Sequence, residues 1–143
     1  MCMMIYLAAD QPLRMLEWNE GDPGFHVSAP APDEERVRCQ FTKANLVYAG
    51  SHEECGCGFQ YGEYSADNYE QSELEQRRRS LNQFAEYLRV ELSRVGPIEV
   101  YACWDGDQET APEHHRILTP SSLEADDFFF RQKELSTAVE HRR

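Results

Sequence analysis

The sequence feature that most constrains the fold is an apolar stripe along residues 72–95. Its members recur at intervals of three, four or seven residues, which places them on one face of an α-helix. Ser72, with Glu75 three residues later, is the pattern of a capping box, and Gly96-Pro97 follows as a stop signal. At about 1.5 Å per residue, a helix over 72–95 is roughly 36 Å long, enough to cross a whole sheet. The stripe consists of Leu74, Leu81, Phe84, Leu88, Leu92 and Val95.

The opposite side of this helix carries charges in a pattern typical of a solvated surface. Glu73 with Arg77, and Glu75 with Arg79, stand four residues apart in the order that favours ion pairs. The arginine run 77–79 is therefore predicted to lie on a salt-bridged outer face. This interpretation is favoured over a phosphate-binding role for the same three residues.

Three apolar segments predict buried strands. Residues 3–8 are almost continuously apolar, as expected for a strand that is covered on both faces. Residues 45–50 form a second candidate, and residues 98–104 alternate between two faces, which is strand periodicity. Weaker candidates lie at 25–27, 115–118 and 134–139, of which the last also fits a helix.

Two short helices are predicted outside the long one. Asp33 is a favourable N-cap, and two glutamates follow it at the positive end of the helix. The alternation of Val37, Cys39 and Phe41 with polar residues also fits a strand, but the cap favours the helix. Thr119, followed by a proline, has the arrangement that opens a second short helix.

These elements fit one domain. The chain has 143 residues, a length typical of a single domain. We therefore predict a single domain over residues 1–143, of the α+β or α/β class. Its mixed sheet of about four to six strands packs against the helix 72–95, and one or two short helices complete it.

The candidate site lies at residues 51–59, where reactive side chains and glycines are concentrated. If strands 46–50 and 98–104 are parallel, both end at the same edge of the sheet, where α/β sheets bind their ligands. Cys103 would then converge with the 51–59 segment, whereas antiparallel strands would keep it away. The candidate site residues are His52, Cys55, Cys57 and Cys103.

Metal binding is the first interpretation of this group. Zinc takes thiolate and imidazole ligands in near-tetrahedral geometry, so the four candidate residues would complete one ligand set. Gly56 lets the chain bend between Cys55 and Cys57. The C-x-C spacing is shorter than the C-x₂₋₄-C typical of structural zinc sites, so the motif alone is a weak signal. Zinc is the one cofactor that the sequence suggests.

Thiol chemistry is the second interpretation. The Cys55-Gly56-Cys57 segment can close a disulfide if the two cysteine Cα atoms approach within about 4.4 to 6.8 Å. The two neighbouring glutamates are expected to raise the pKa of the thiols, whereas a protonated His52 would lower it. A Cys57–His52 nucleophile pair lacks an evident orienting group or oxyanion hole, so an enzyme is the less favoured prediction.

A purely structural role is the third interpretation. Free cysteine behaves as a small buried hydrophobe, and Gly56 and Gly58 would then serve a tight turn with positive φ. On the same ground, Cys2 and Cys39 are predicted to lie in the core.

Charge and cysteine count bound the partners and the compartment. A formal net charge of −12 opposes binding to nucleic acid and to anionic membrane surfaces. No apolar segment approaches the roughly 20 residues that a membrane span needs. The five cysteines, an odd number, fit reduced thiols and a cytoplasmic location better than a disulfide framework.

Together these features favour a non-catalytic domain that mediates an interaction or binds a metal. A protein partner and a homo-oligomer both stay open. The alternative is a thiol-dependent redox protein or enzyme that uses the Cys55-Gly56-Cys57 pair.

Overall fold

A six-stranded mixed sheet runs through the part of the chain that the computed structural model describes, residues 2–62 and 70–141. The strands are β1 (Met3–Ala9), β2 (His26–Ser28), β3 (Asn45–Gly50), β4 (Ile98–Trp104), β5 (His114–Leu118) and β6 (Glu134–Ala138). Their order across the sheet is β2-β3-β1-β4-β6-β5, and all neighbours are antiparallel except β5 and β6. The fold is α+β, and the predicted mixed sheet is confirmed.

Strand β1 determines how the sheet is arranged because it pairs antiparallel with both β3 and β4. These two strands therefore run in the same direction, with β1 between them. Their carboxyl ends reach one edge of the sheet, and the amino end of β1 lies at that same edge. The shared edge was the condition for convergence at the candidate site.

The long helix α1 (Gln71–Val95) packs on one face of the sheet. All six residues of the predicted stripe are buried, which confirms the periodicity argument. The helix starts at Gln71 after the N-cap Glu70, so Ser72 lies inside the first turn and does not cap it. It ends at Gly96, whose φ of 78° is a conformation that glycine adopts without strain.

The other face of the sheet carries a smaller apolar cluster. Residues Pro32–Gln40 form a 3₁₀ helix, which corresponds to the first short helix predicted, and its Val37 packs against Tyr6 and Tyr101. Alternation along the strands explains the division: Ile5 and Leu7 face α1, and Tyr6 faces away. The core thus has two layers, separated by the sheet.

The second short helix, α2 (Pro120–Leu123), begins as the sequence predicts. The hydroxyl of Thr119 accepts a hydrogen bond from the backbone N–H of Ser122 at 3.3 Å. This satisfies one of the free N–H groups at the helix start. A further 3₁₀ turn, Gly56–Phe59, lies in the candidate site and touches α1 and β1.

The predicted burial of Cys2 and Cys39 and one predicted ion pair are wrong. Cys2 and Cys39 are both exposed, so neither belongs to the core. Arg79 pairs with Asp22 at 2.7 Å across the surface, in place of the expected partner Glu75.

None of the helices in the described ranges combines the length and the apolarity that crossing a bilayer requires.

The core facing α1 predicts a large loss of stability when Leu88 is truncated. Leu88 is fully buried, so Leu88→Ala should lower the free energy of unfolding by about 2–5 kcal/mol through lost burial and a residual cavity. Val90 lies on the outer side of the same helix, with 41% of its surface exposed. Val90→Ala should therefore change the free energy of unfolding by less than about 0.5 kcal/mol. Urea unfolding of both variants checks this, and similar losses would contradict the assigned helix face.

Candidate functional site

Three cysteines meet at the edge where β3 and β4 end and β1 begins. The sulfur atoms of Cys2, Cys55 and Cys57 all lie within 4.8 Å of one another. Cys2 is exposed, while Cys55 and Cys57 are half-buried. The sulfur cluster, as we call these three residues, is therefore open to solvent on one side and supported by the core on the other.

Cys103, the penultimate residue of β4, lies at the same edge but does not belong to the sulfur cluster. It is fully buried on the opposite face of the sheet, together with Tyr6 and Tyr101. Alternation along β4 puts Cys103 on the face away from α1, whereas Cys57 packs against the core on the α1 side. Burial raises the pKa of the Cys103 thiol to about 12, consistent with an inert core cysteine.

His52 faces α1 and makes its contacts there. Its backbone N–H donates to the hydroxyl of Ser80 at 3.1 Å, and its ring Nδ1 lies 2.9 Å from the same oxygen. The ring Nε2 lies 3.7 Å from a carboxylate oxygen of Glu73, and the side chain is only 6% exposed. Burial lowers the pKa of His52, so the ring is neutral at physiological pH.

Ser51 shapes the loop that carries Cys55 and Cys57. Its hydroxyl donates to the carbonyl of Cys55 at 2.6 Å and accepts from the backbone N–H of Gly58 at 3.1 Å. Its own backbone N–H donates to the same Cys55 carbonyl at 3.0 Å. The loop is thus closed on itself by one buried side chain immediately after β3.

Gly56 and Gly58 are required because neighbouring atoms leave no room for a side chain. The prediction that they provide positive φ in a tight turn is wrong. A Cβ on Gly56 would lie 2.7 Å from a side-chain carbon of Ile5, and one on Gly58 would lie 2.2 Å from the Ser51 hydroxyl. Both distances are shorter than the nonbonded contacts that real Cβ atoms make. Positive φ in this loop falls on Glu54, at 73°. Gly56 therefore lets the loop lie directly against β1, and Gly58 lets it close on Ser51.

Arg77 holds the loop against α1. Its side chain is only 6% exposed, and Nη1 donates to the carbonyls of Cys57 at 2.6 Å and Gln60 at 3.1 Å. Its Nε lies 3.0 Å from a carboxylate oxygen of Glu73. The ion pair expected from sequence is present, but the prediction that Arg77 belongs to a solvated face is wrong. Its guanidinium points inward and satisfies loop carbonyls.

The thiols of Cys55 and Cys57 differ in proton affinity. A hydrogen bond from the Cys55 thiol, the Met3 backbone N–H at 3.3 Å and the charge of Arg77 favour the Cys57 thiolate. They outweigh burial and the charge of Glu53, and the pKa of Cys57 falls to about 6. The pKa of Cys55 is raised, first because its thiol donates that hydrogen bond and then by burial. The two acidic neighbours are visible in the sequence, whereas the two donors that oppose them come from the folded structure.

A second group of ligand-type atoms lies beside the sulfur cluster. Atoms of His52, Glu53 and Glu73 lie within 4.8 Å of one another. Arg77 already supplies a positive charge there, at 3.0 Å from Glu73 and 3.8 Å from Glu53. A metal cation would be repelled by this guanidinium, so the group is better described as an ion-pair network that supports the loop.

Sequence reasoning missed Cys2 and Arg77. The signal for Cys2 was its position immediately before the first strand, because a β1 antiparallel to both β3 and β4 begins where they end. The signal for Arg77 was weaker. It lies three residues after Leu74 and four before Leu81, a helical spacing that places it on the same face as the apolar stripe.

The fold and the site define a small α+β domain with a three-cysteine cluster at one sheet edge. No family model matches the chain, and neither the curated proteins nor the solved structures contain a significant match to it. The chemistry of the site is therefore argued from its own residues.

The lowered pKa predicts that Cys57 is alkylated at unusually low pH. A thiolate is present above its pKa and is lost below it, so the rate of iodoacetamide labelling at Cys57 should reach half its maximum near pH 6. Cys55 in the same protein should label slowly until far higher pH. Mass spectrometry of quenched samples measures both sites. A Cys57 profile centred near about pH 8.5, as for an ordinary thiol, would contradict the assigned hydrogen bonds.

The buried position of Arg77 predicts that replacing it destabilises the protein more than replacing the exposed Arg79 does. Arg77→Met leaves the carbonyls of Cys57 and Gln60 without this donor and should lower the free energy of unfolding by about 1–3 kcal/mol. Arg79→Met removes an exposed pair with Asp22 and should cost less than about 1 kcal/mol. Urea unfolding compares the two, and equal losses would refute the anchoring role.

Proposed function

We propose that this protein is a zinc-binding domain whose ligands are the thiolates of Cys2, Cys55 and Cys57. The observation that carries the proposal is the mutual approach of the three sulfur atoms within 4.8 Å. Zinc–sulfur bonds of about 2.3 Å at tetrahedral angles place sulfur atoms about 3.8 Å apart. A contraction of no more than about 1 Å therefore turns this cluster into a ligand set.

The chemistry of the three side chains supports a soft cation. The hydrogen bond from the Met3 N–H to the Cys57 sulfur and the nearby charge of Arg77 lower the pKa of Cys57 and favour the thiolate, which is the form that ligates zinc. Zinc binding would displace the protons of the other thiols, as it does when cysteine ligates zinc elsewhere. A net charge of −12 further favours a cation over an anion.

The ligands come from two distant parts of the chain. Cys2 precedes β1, whereas Cys55 and Cys57 flank Gly56 in the loop after β3. Three protein ligands leave one position of a tetrahedral ion for water or an external ligand, and the exposure of Cys2 puts that position toward solvent. The proposal replaces the ligands His52 and Cys103, which the sequence suggested, with Cys2.

Metal analysis of the untagged full chain tests the proposal. Protein purified after expression with zinc should carry about one equivalent, and cadmium added to the metal-free protein should produce a sulfur-to-cadmium charge-transfer band. Each of Cys2→Ser, Cys55→Ser and Cys57→Ser should lose stoichiometric zinc. Cys39→Ser is the matched control, because Cys39 is an exposed cysteine outside the sulfur cluster.

Two results would overturn the proposal. One is zinc-replete protein that holds no zinc after gel filtration. The other is retention of zinc in the Cys55→Ser, Cys57→Ser double variant, which would place the metal elsewhere. Circular dichroism of each variant shows that the fold is retained, so that a loss of zinc reports on the ligands.

A further inference from the structure

We infer a second activity at the same edge: Cys57 and Cys55 act as the attacking and resolving thiols in disulfide exchange with a small-molecule disulfide, for which glutathione disulfide serves as the probe. The inference goes beyond zinc binding and concerns the metal-free, reduced protein. Its basis is that Cys55 and Cys57 have different surroundings in the fold, although only Gly56 separates them.

Cys57 is held in place and presented to solvent. Its carbonyl accepts from Arg77 at 2.6 Å, and its sulfur accepts from the backbone N–H of Met3 at 3.3 Å. The side chain is nevertheless half-exposed. A sulfur that is oriented by two fixed contacts and reachable from outside has the placement of an attacking thiolate.

Cys55 is placed to resolve the mixed disulfide. It directly precedes the 3₁₀ turn Gly56–Phe59, with extended backbone angles, and its carbonyl is fixed by the N–H and hydroxyl of Ser51 at 3.0 and 2.6 Å. Its sulfur lies within 4.8 Å of the Cys57 sulfur, close enough for a small rotation of the side chains to bring the two into bonding contact. The close packing of Gly56 on Ile5 keeps the segment bent between them.

Exchange takes two balanced steps. In the first, the Cys57 thiolate attacks one sulfur of glutathione disulfide; a mixed disulfide forms, and the glutathione thiolate that leaves takes a proton from water. In the second, Cys55 gives its proton to solvent and attacks the Cys57 sulfur, which releases the second glutathione as a thiolate. Two protein thiols are oxidised, and one glutathione disulfide is reduced to two molecules of glutathione.

Cys2 competes for the resolving role because its sulfur lies within the same 4.8 Å limit. Cys55 is favoured because only Gly56 separates it from Cys57, and the packing of Gly56 on Ile5 holds the chain bent between the two cysteines. A Cys55–Cys57 disulfide would also remove two of the three proposed zinc ligands. Oxidation and zinc binding are therefore mutually exclusive states of the same edge.

The test uses the reduced full chain, freed of metal by chelation and treated with glutathione disulfide. Samples are quenched in acid, alkylated, digested and mapped by mass spectrometry. The wild-type protein should lose two hydrogens in the peptide that contains Cys55 and Cys57. Cys55→Ser should accumulate a glutathione adduct on Cys57, whereas Cys57→Ser should react at Cys55 at least roughly tenfold more slowly. Cys55→Ala is a second trapping variant, and Cys39→Ser is the control that should behave as wild type.

Three results would overturn the inference. They are a disulfide that joins Cys2 to Cys57, an adduct that forms on Cys57 no faster than on the exposed Cys39, and no oxidation at all. Because the assay contains no metal, its failure leaves zinc binding standing. Disulfide formation in a protein that never binds zinc would reject the proposed function alone.

Discussion

The burial of one guanidinium organises the site. A charged group removed from water must be paired and hydrogen-bonded, and Arg77 meets this requirement with Glu73 and with the carbonyls of Cys57 and Gln60. These contacts join α1 to the loop after β3. The position of the Cys57 sulfur thus depends on the long helix, although no helical residue belongs to the sulfur cluster.

The second constraint is the central position of β1. Because β1 is antiparallel to both β3 and β4, β1 begins at the same edge of the sheet where β3 and β4 end. That reversal brings Cys2 to Cys55 and Cys57 across more than fifty positions of sequence. The proposed zinc site would use all three sulfur atoms of this edge, whereas the proposed disulfide exchange would join those of Cys55 and Cys57 to each other.

Local patterns predicted most of the fold and only part of the site. Periodicity is a property of neighbouring residues, so the apolar stripe of α1 and the alternation along β4 were visible in the sequence. The sequence also indicated the pair of Arg77 with Glu73, but not its two partners in the loop, since these are backbone carbonyls, which carry no side-chain signal. Cys103 reached the predicted edge but on the opposite face, because the direction of a strand does not decide which alternate residues face the helix.

The contact between the Met3 N–H and the Cys57 sulfur has a consequence for motion at the strand end. Ends of strands fray readily, and an amide exchanges its hydrogen with solvent only while its hydrogen bond is open. Here the acceptor is the sulfur of Cys57, so each opening of the first residue of β1 also removes a hydrogen-bond donor from that sulfur. Fraying of the strand and the proton affinity of the Cys57 thiol are therefore coupled.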